Sequence, residues 1–113
     1  MVEIKRTSKE LDKVTIYRMT LDNAITSCKD LTDGTEITVT AWLEYDDTKD
    51  NGKVETVFSI LASDGHVYAC TSKTFARNVM DISDVMDGDD FTIVKNSGTS
   101  KAGKNFIYAS LKY

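Results

Sequence analysis

The stretch Thr35 to Tyr45, TEITVTAWLEY, constrains this chain more than any other. It is the longest run that alternates cleanly. Successive side chains of a strand point to opposite faces, so the run predicts a strand with one buried and one wet face. Ile37, Val39, Ala41 and Leu43 are expected to be buried, with Thr38, Thr40, Trp42 and Glu44 opposite. β-branched and aromatic residues dominate it, as a pleated surface favours.

The rest reads as strands and one helix packed against that strand. Val2 to Leu11 has no period and is either a mobile arm or an added strand. Lys13 to Met19 alternates as a short strand, and Thr20 or Asp22 is placed to cap a short helix through Cys28 or Leu31. Asp46 to Gly52, with its Asn51-Gly52 pair, is a hairpin loop, and Lys53 to Ala62 the returning strand, apolar on both faces in its second half. Ser63-Asp64-Gly65 turns into a third strand, His66 to Thr71. Phe75, Val79, Ile82 and Met86 then recur at helical spacing between an N-cap at Ser72 and a stop at Gly88, with a break expected near Asn78. Phe91 to Lys95 and Lys104 to Lys112 are further strands, joined by a glycine- and serine-rich loop, Asn96 to Gly103, expected to be mobile.

Three strands, a helix and two strands is the order of the OB-fold, a five-stranded Greek-key barrel with its helix between the third and fourth strands. The expected fold is therefore mainly β: one domain over 1–113, with 1–34 as an N-terminal extension and 35–113 as the barrel. Its length suits one core, and no apolar run approaches a membrane span. The N-terminus does not read as a signal peptide, and Cys28 and Cys70 form no disulfide framework, so a cytoplasmic protein with reduced thiols is expected.

Motifs for chemistry fail on inspection. Gly98 to Lys104 spells the start of a phosphate-binding P-loop, but Asn105 stands where Ser or Thr should hold magnesium, and a strand follows where a helix is needed. The EF-hand-like stretch Asp46 to Gly52, with Asp47 as its first loop position, has Lys49 at a ligand position and Phe58 where the bidentate Glu belongs. His66, the single histidine, has no identifiable catalytic partner. Neither an enzyme nor a cofactor or metal is expected.

Charge distribution is more informative than the net value of −4. Residues 21–52 hold eight acids and two bases, and 81–90 five acids and no base. Residues 91–113 hold Lys95, Lys101, Lys104 and Lys112 and no acid. Clustered lysines beside aromatic rings are what a single strand of nucleic acid needs: cations for phosphates and platforms for bases. Trp42, Tyr68, Phe106 and Tyr108 are the candidate platforms. Lys73, Arg77, Lys95, Lys101 and Lys104 are the candidate cations.

The segment from Ser72 to Leu111 resembles the C-terminal half of small single-stranded-DNA-binding proteins of bacteriophages. The likeness rests on the Ser-x-x-Phe helix start, the Asp81-Ile82 pair, and a Ser/Lys/Gly loop before an aromatic-bearing strand. It implies an OB-fold that coats single-stranded DNA in phage replication or recombination, in the cytoplasm of the bacterial host and alongside phage or host replication proteins. Where such proteins have an acidic C-terminal tail to recruit partners, this sequence has Leu111, Lys112 and Tyr113; its acids lie at 81–90 instead. The expected function is sequence-tolerant binding of single-stranded DNA. Its runner-up is an OB-like module for a basic protein partner on the acidic surface, and RNA binding is a weaker third. A homodimer is compatible with all three.

Overall fold

The computed structural model describes all 113 residues. Seven strands and two helices follow one another along the chain: β1 Val2–Thr7, α1 Lys13–Thr20, β2 Thr26–Ser27, β3 Thr35–Thr48, β4 Val54–Ala62, β5 Val67–Cys70, α2 Lys73–Met86, β6 Phe91–Thr99 and β7 Asn105–Leu111. The strands form one curled sheet in the order β2-β5-β4-β3-β6-β7, with β1 beside β3. The fold is mainly β, as expected, and β3 to β7 with α2 keep the OB-like order. The strand count differs from the five expected, the curled sheet does not close into a full barrel, and a second helix lies before β3.

β3 is the shared member. It pairs with β4 from Val39 to Thr48, with β6 from Thr35 to Val39, and with β1 from Leu43 to Asp47. Its fourteen residues are long enough to hand one edge from β6 to β1 while β4 holds the other.

The simple alternation breaks at Thr40. The β3–β4 register runs Val39↔Ala62 and then Ala41↔Leu61, so Thr40 is an extra, bulged residue. One extra residue moves every later side chain to the opposite face. Ile37 and Val39 thus share the main core with Trp42, whereas Leu43 and Tyr45 enter a second cluster with Met19, Val57 and Val67. This corrects the expectation that Leu43 lies with Ile37 and that Trp42 faces away from the core. The main core contains Phe58, Ile60, Phe75, Val79 and Ile93, with α2 over it. β4 feeds both clusters, which explains its doubly apolar second half.

Three local readings are also corrected. Residues 13–20 are helical, not a strand: Asp12 caps α1 by accepting from Thr15 N at 2.7 Å, and Met19 is buried on its inner face. No helix runs from residue 22 to 31. Asp22 instead turns the chain by accepting from Ala24 N, and Thr26–Ser27 pair in parallel with Tyr68–Ala69 before a short 3-10 turn at Cys28–Asp30. α2 does not break at Asn78, because that side chain accepts from Ala109 N of β7 rather than competing for the helix's own backbone. Ser72 caps α2 through Phe75 N, as the sequence indicates. Of the two readings of residues 2–11, the added strand holds for Val2–Thr7.

Phe75 is fully buried in the main core and Val85 is 82% exposed on the same helix. In urea unfolding, Phe75→Ala is expected to cost about 3–5 kcal/mol, and Val85→Ala to stay within about 0.5 kcal/mol. Comparable losses would place α2 off the core.

Candidate nucleic-acid interface

A cleft of about 1080 Å³ opens between β3–β5 and the β6–β7 ribbon. One side carries Tyr45 and Val57 of the second cluster with Ala69 of β5, bounded by Thr20 at the end of α1 and Ile25 after it. The other side is the ribbon, through Ser97, Gly98, Thr99, Asn105, Phe106 and Ile107. Asp47, Lys49 and Glu55 stand at the end formed by the β3–β4 turn.

The ribbon is more ordered than the composition of 96–103 implies. β6 continues to Thr99, and only Ser100 to Lys104 form the connection. That connection is closed by Ser100 N to Lys104 O at 2.8 Å and Gly103 N to Ser100 O at 2.9 Å. The expected mobile loop is therefore a tight turn on a two-stranded ribbon. Lys101 and Lys104 are exposed at this turn and form no ion pair.

Phe106 lines the cleft and is 38% exposed. It pairs across the ribbon with Gly98, and a Cβ on Gly98 would lie 2.8 Å from its Cζ. The glycine is what lets the ring lie flat against the neighbouring strand. Tyr108 follows on the same face of β7, its ring centroid 6.0 Å from that of Phe106. Lys73 and Arg77 are exposed along the first turns of α2, which begins just after cleft residues Thr71 and Ser72, and neither is ion-paired.

The remaining three candidates are buried or packed away from the opening. Trp42 is only 7% exposed and packs on Phe58 at 5.5 Å between ring centroids, because the Thr40 bulge turns it inward. Tyr68 packs against the main core and stacks on His66 rather than lining the cleft; burial pushes its hydroxyl pKa up. Lys95 reaches the cleft wall but is 3% exposed, its ammonium donating to Leu31 O at 2.7 Å and to Asp33 Oδ1 at 3.1 Å.

Sequence reading missed Lys29, Lys49 and Asn105. Lys29 and Lys49 come from the acid-rich stretch, and the parallel β2–β5 pairing that brings Lys29 to the cleft leaves no local signal. Lys49 is held by Asp47 at 2.8 Å and Glu55 at 3.8 Å. The hydrogen bond between them raises the Lys49 pKa and lowers that of Asp47. Asp33 is held below the usual carboxylate range by Ser97 and Lys95. Cys70 also lines the cleft, against the buried Cys28, whose thiol is pushed up by their mutual hydrogen bond and by burial. The cleft thus presents an aromatic ring, hydroxyls, an amide and paired charges, with free cations at its rim. Such a set is chemically able to hold a polyanion with flat bases.

The family described as phage single-stranded DNA-binding protein matches residues 4–112. The chain is 37% identical over 91 residues to the single-stranded DNA-binding protein of Bacillus phage PZA, covering 75% of this chain and 73% of the relative. It is 36% identical over 91 residues to the protein of the same name from Bacillus phage phi29, with the same coverage. No solved structure matches the chain.

Gly98→Ala tests the seating of Phe106. An ordinary strand glycine gains stability on replacement by Ala, by about 0.4–1 kcal/mol. Here the new methyl meets the ring at 2.8 Å. The expected result is displaced Phe106 ring resonances in NMR, undisturbed Phe75 resonances and no gain in melting temperature. Unmoved Phe106 signals would contradict this seating.

Proposed function

The chain belongs to the phage single-stranded DNA-binding protein family, and on that premise we propose that it coats single-stranded DNA with little sequence preference, the strand lying in the cleft beside the β6–β7 ribbon. The observation that carries this reading is the ribbon itself. It joins a half-exposed ring, Phe106, to two lysines without acidic partners, Lys101 and Lys104.

Bases stack on Phe106, with Tyr108 as the adjoining ring. Each stacked base is worth about 1–3 kcal/mol, and stacking tolerates any sequence because every base has a π-face. The carboxylates of Asp47 and Glu55 line the cleft and repel phosphates. Bases therefore turn inward, and the backbone runs outside, past Lys101, Lys104 and Lys29. From the cleft mouth at Thr71 and Ser72, Lys73 and Arg77 continue the cationic path along α2. Contacts to phosphates fix the strand without reading sequence. Trp42 and Lys95 support the structure and do not touch DNA. Protection of single strands in phage replication or recombination, together with phage or host proteins, fits this binding mode. The barrel strands act as a single OB-fold domain with residues 1–34 as its extension.

Fluorescence anisotropy with labelled oligonucleotides tests the cationic rim. Lys101→Glu with Lys104→Glu is expected to weaken binding to every sequence alike, with little change in melting temperature. The slope of log affinity against log salt should become shallower by about 1.4, at about 0.7 for each lost phosphate contact on a single strand. Unchanged affinity would remove the turn from the site. Absence of wild-type binding at low salt would favour a basic protein partner on Asp81, Asp84, Asp87, Asp89 and Asp90.

Phe106→Ala tests the platform separately. It should weaken binding by about 1–3 kcal/mol and leave the salt slope unchanged, since no cation is lost. A steep change in slope without the stacking loss would assign the ring a packing role.

A further inference from the structure

The β6–β7 ribbon projects beyond the sheet that supports it. β6 pairs with β3 only from Phe91 to Lys95; from Asn96 to Thr99 its partner is β7 alone. A two-stranded ribbon is only marginally stable in water by itself, so its angle over the cleft must be set at its root. The root is clasped. Asp33, on the turn before β3, accepts from Lys95 Nζ at 3.1 Å through Oδ1 and from Ser97 Oγ at 2.6 Å through Oδ2. Lys95 Nζ also donates to Leu31 O at 2.7 Å, and Gly34 N donates to Lys95 O at 2.7 Å. These four bonds tie the 31–34 turn to β6 immediately before Gly98, the seat of Phe106.

We infer that Asp33 and Ser97 are positioning residues for DNA binding: they hold the projecting ribbon at the height that keeps Phe106 facing the cleft, and Lys95 acts through this clasp rather than on a phosphate. The inference rests on the proposed use of the cleft. Two features support it. Hydrogen bonds to charged groups are among the stronger ones, and both bonds to Asp33 are of this kind. The clasp also consumes a carboxylate and an ammonium that line or flank the cleft, which is unexpected if either were kept for a ligand.

The test compares Asp33→Asn and Ser97→Ala with the wild type. Affinity for oligo(dT) is measured by anisotropy across a salt series, and amide hydrogen exchange is followed along the ribbon. Removing a carboxylate beside a DNA site strengthens binding if electrostatics alone acts. The clasp requires the opposite: about tenfold weaker binding for Asp33→Asn and about threefold for Ser97→Ala, as loss of charge-assisted bonds implies. Neither variant should change the salt slope, because no phosphate contact is lost. Ribbon amides should exchange faster while those of β4 do not. Ser97 is exposed, so its variant folds and stays informative if Asp33→Asn does not. Unchanged or tighter binding, or a slope shallower by one contact, overturns the inference. If the wild type itself fails to bind oligo(dT), the cleft reading fails, and the exchange data then decide on the clasp alone: unchanged ribbon exchange overturns it.

Discussion

β3 must satisfy three neighbours at once, and the rest of the molecule is arranged by how it does so. A strand has two edges, so a third partner is possible only if one edge is divided along its length. β6 takes the first part of that edge and β1 the second. At the other end β6 outruns β3: Lys95 pairs with Thr35, the first residue of β3, and the stretch beyond it is the ribbon that walls the cleft. The same strand changes phase at Thr40, where one bulged residue converts a one-sided strand into one that faces two cores. A bulge adds twist and bends the strand, which suits a sheet that curls.

Burying Trp42 at this point has a local cost. Its indole Nε1 has no hydrogen-bond partner, nor does the Ser59 hydroxyl on the neighbouring strand. An unmet buried donor costs about 1–3 kcal/mol. Burial of a large aromatic ring against Phe58 offsets this, since fully burying a Phe-sized side chain contributes about 1.5–3 kcal/mol. Lys95 is the other buried polar group, and it is treated differently: carbonyl and carboxylate partners meet its ammonium, so its charge stays satisfied within the wall.

The charge pattern acquires meaning only on this frame. An acidic chain can bind a polyanion when its unpaired cations sit on one rim and its carboxylates are paired or placed where bases lie. Lys49 is shared between Asp47 and Glu55 at one end of the cleft, which leaves that end acidic, while Lys101 and Lys104 at the turn have no such partners. The acids of 81–90 gather at the C-terminal end of α2, where they oppose the helix dipole. Asp87 adopts a left-handed conformation there, followed by Gly88.

The sequence by itself determined what local rules govern. The period of Thr35 to Tyr45 called for the central strand, Ser72 and the Phe75-Val79-Ile82-Met86 spacing set α2, and Asn51-Gly52 marked the first hairpin. The lysine turn and Phe106 were legible as well, because charge and aromaticity on an exposed hairpin are written in composition. Tertiary structure alone decided the rest. Residues 13–19 alternate like a strand, yet a cap from Asp12 and packing of Met19 against the sheet make them helical, and no short window contains that competition. Trp42 looked like an exposed platform because a strict period of two put it there; a bulge depends on the partner strand's register, which is long-range. Lys95 looked like a phosphate contact because a lysine count cannot see Leu31 and Asp33, brought beside it by the pairing of β3 with β6. Side-chain availability is a property of the folded neighbourhood, so the elements were readable from the chain and the membership of the site was not.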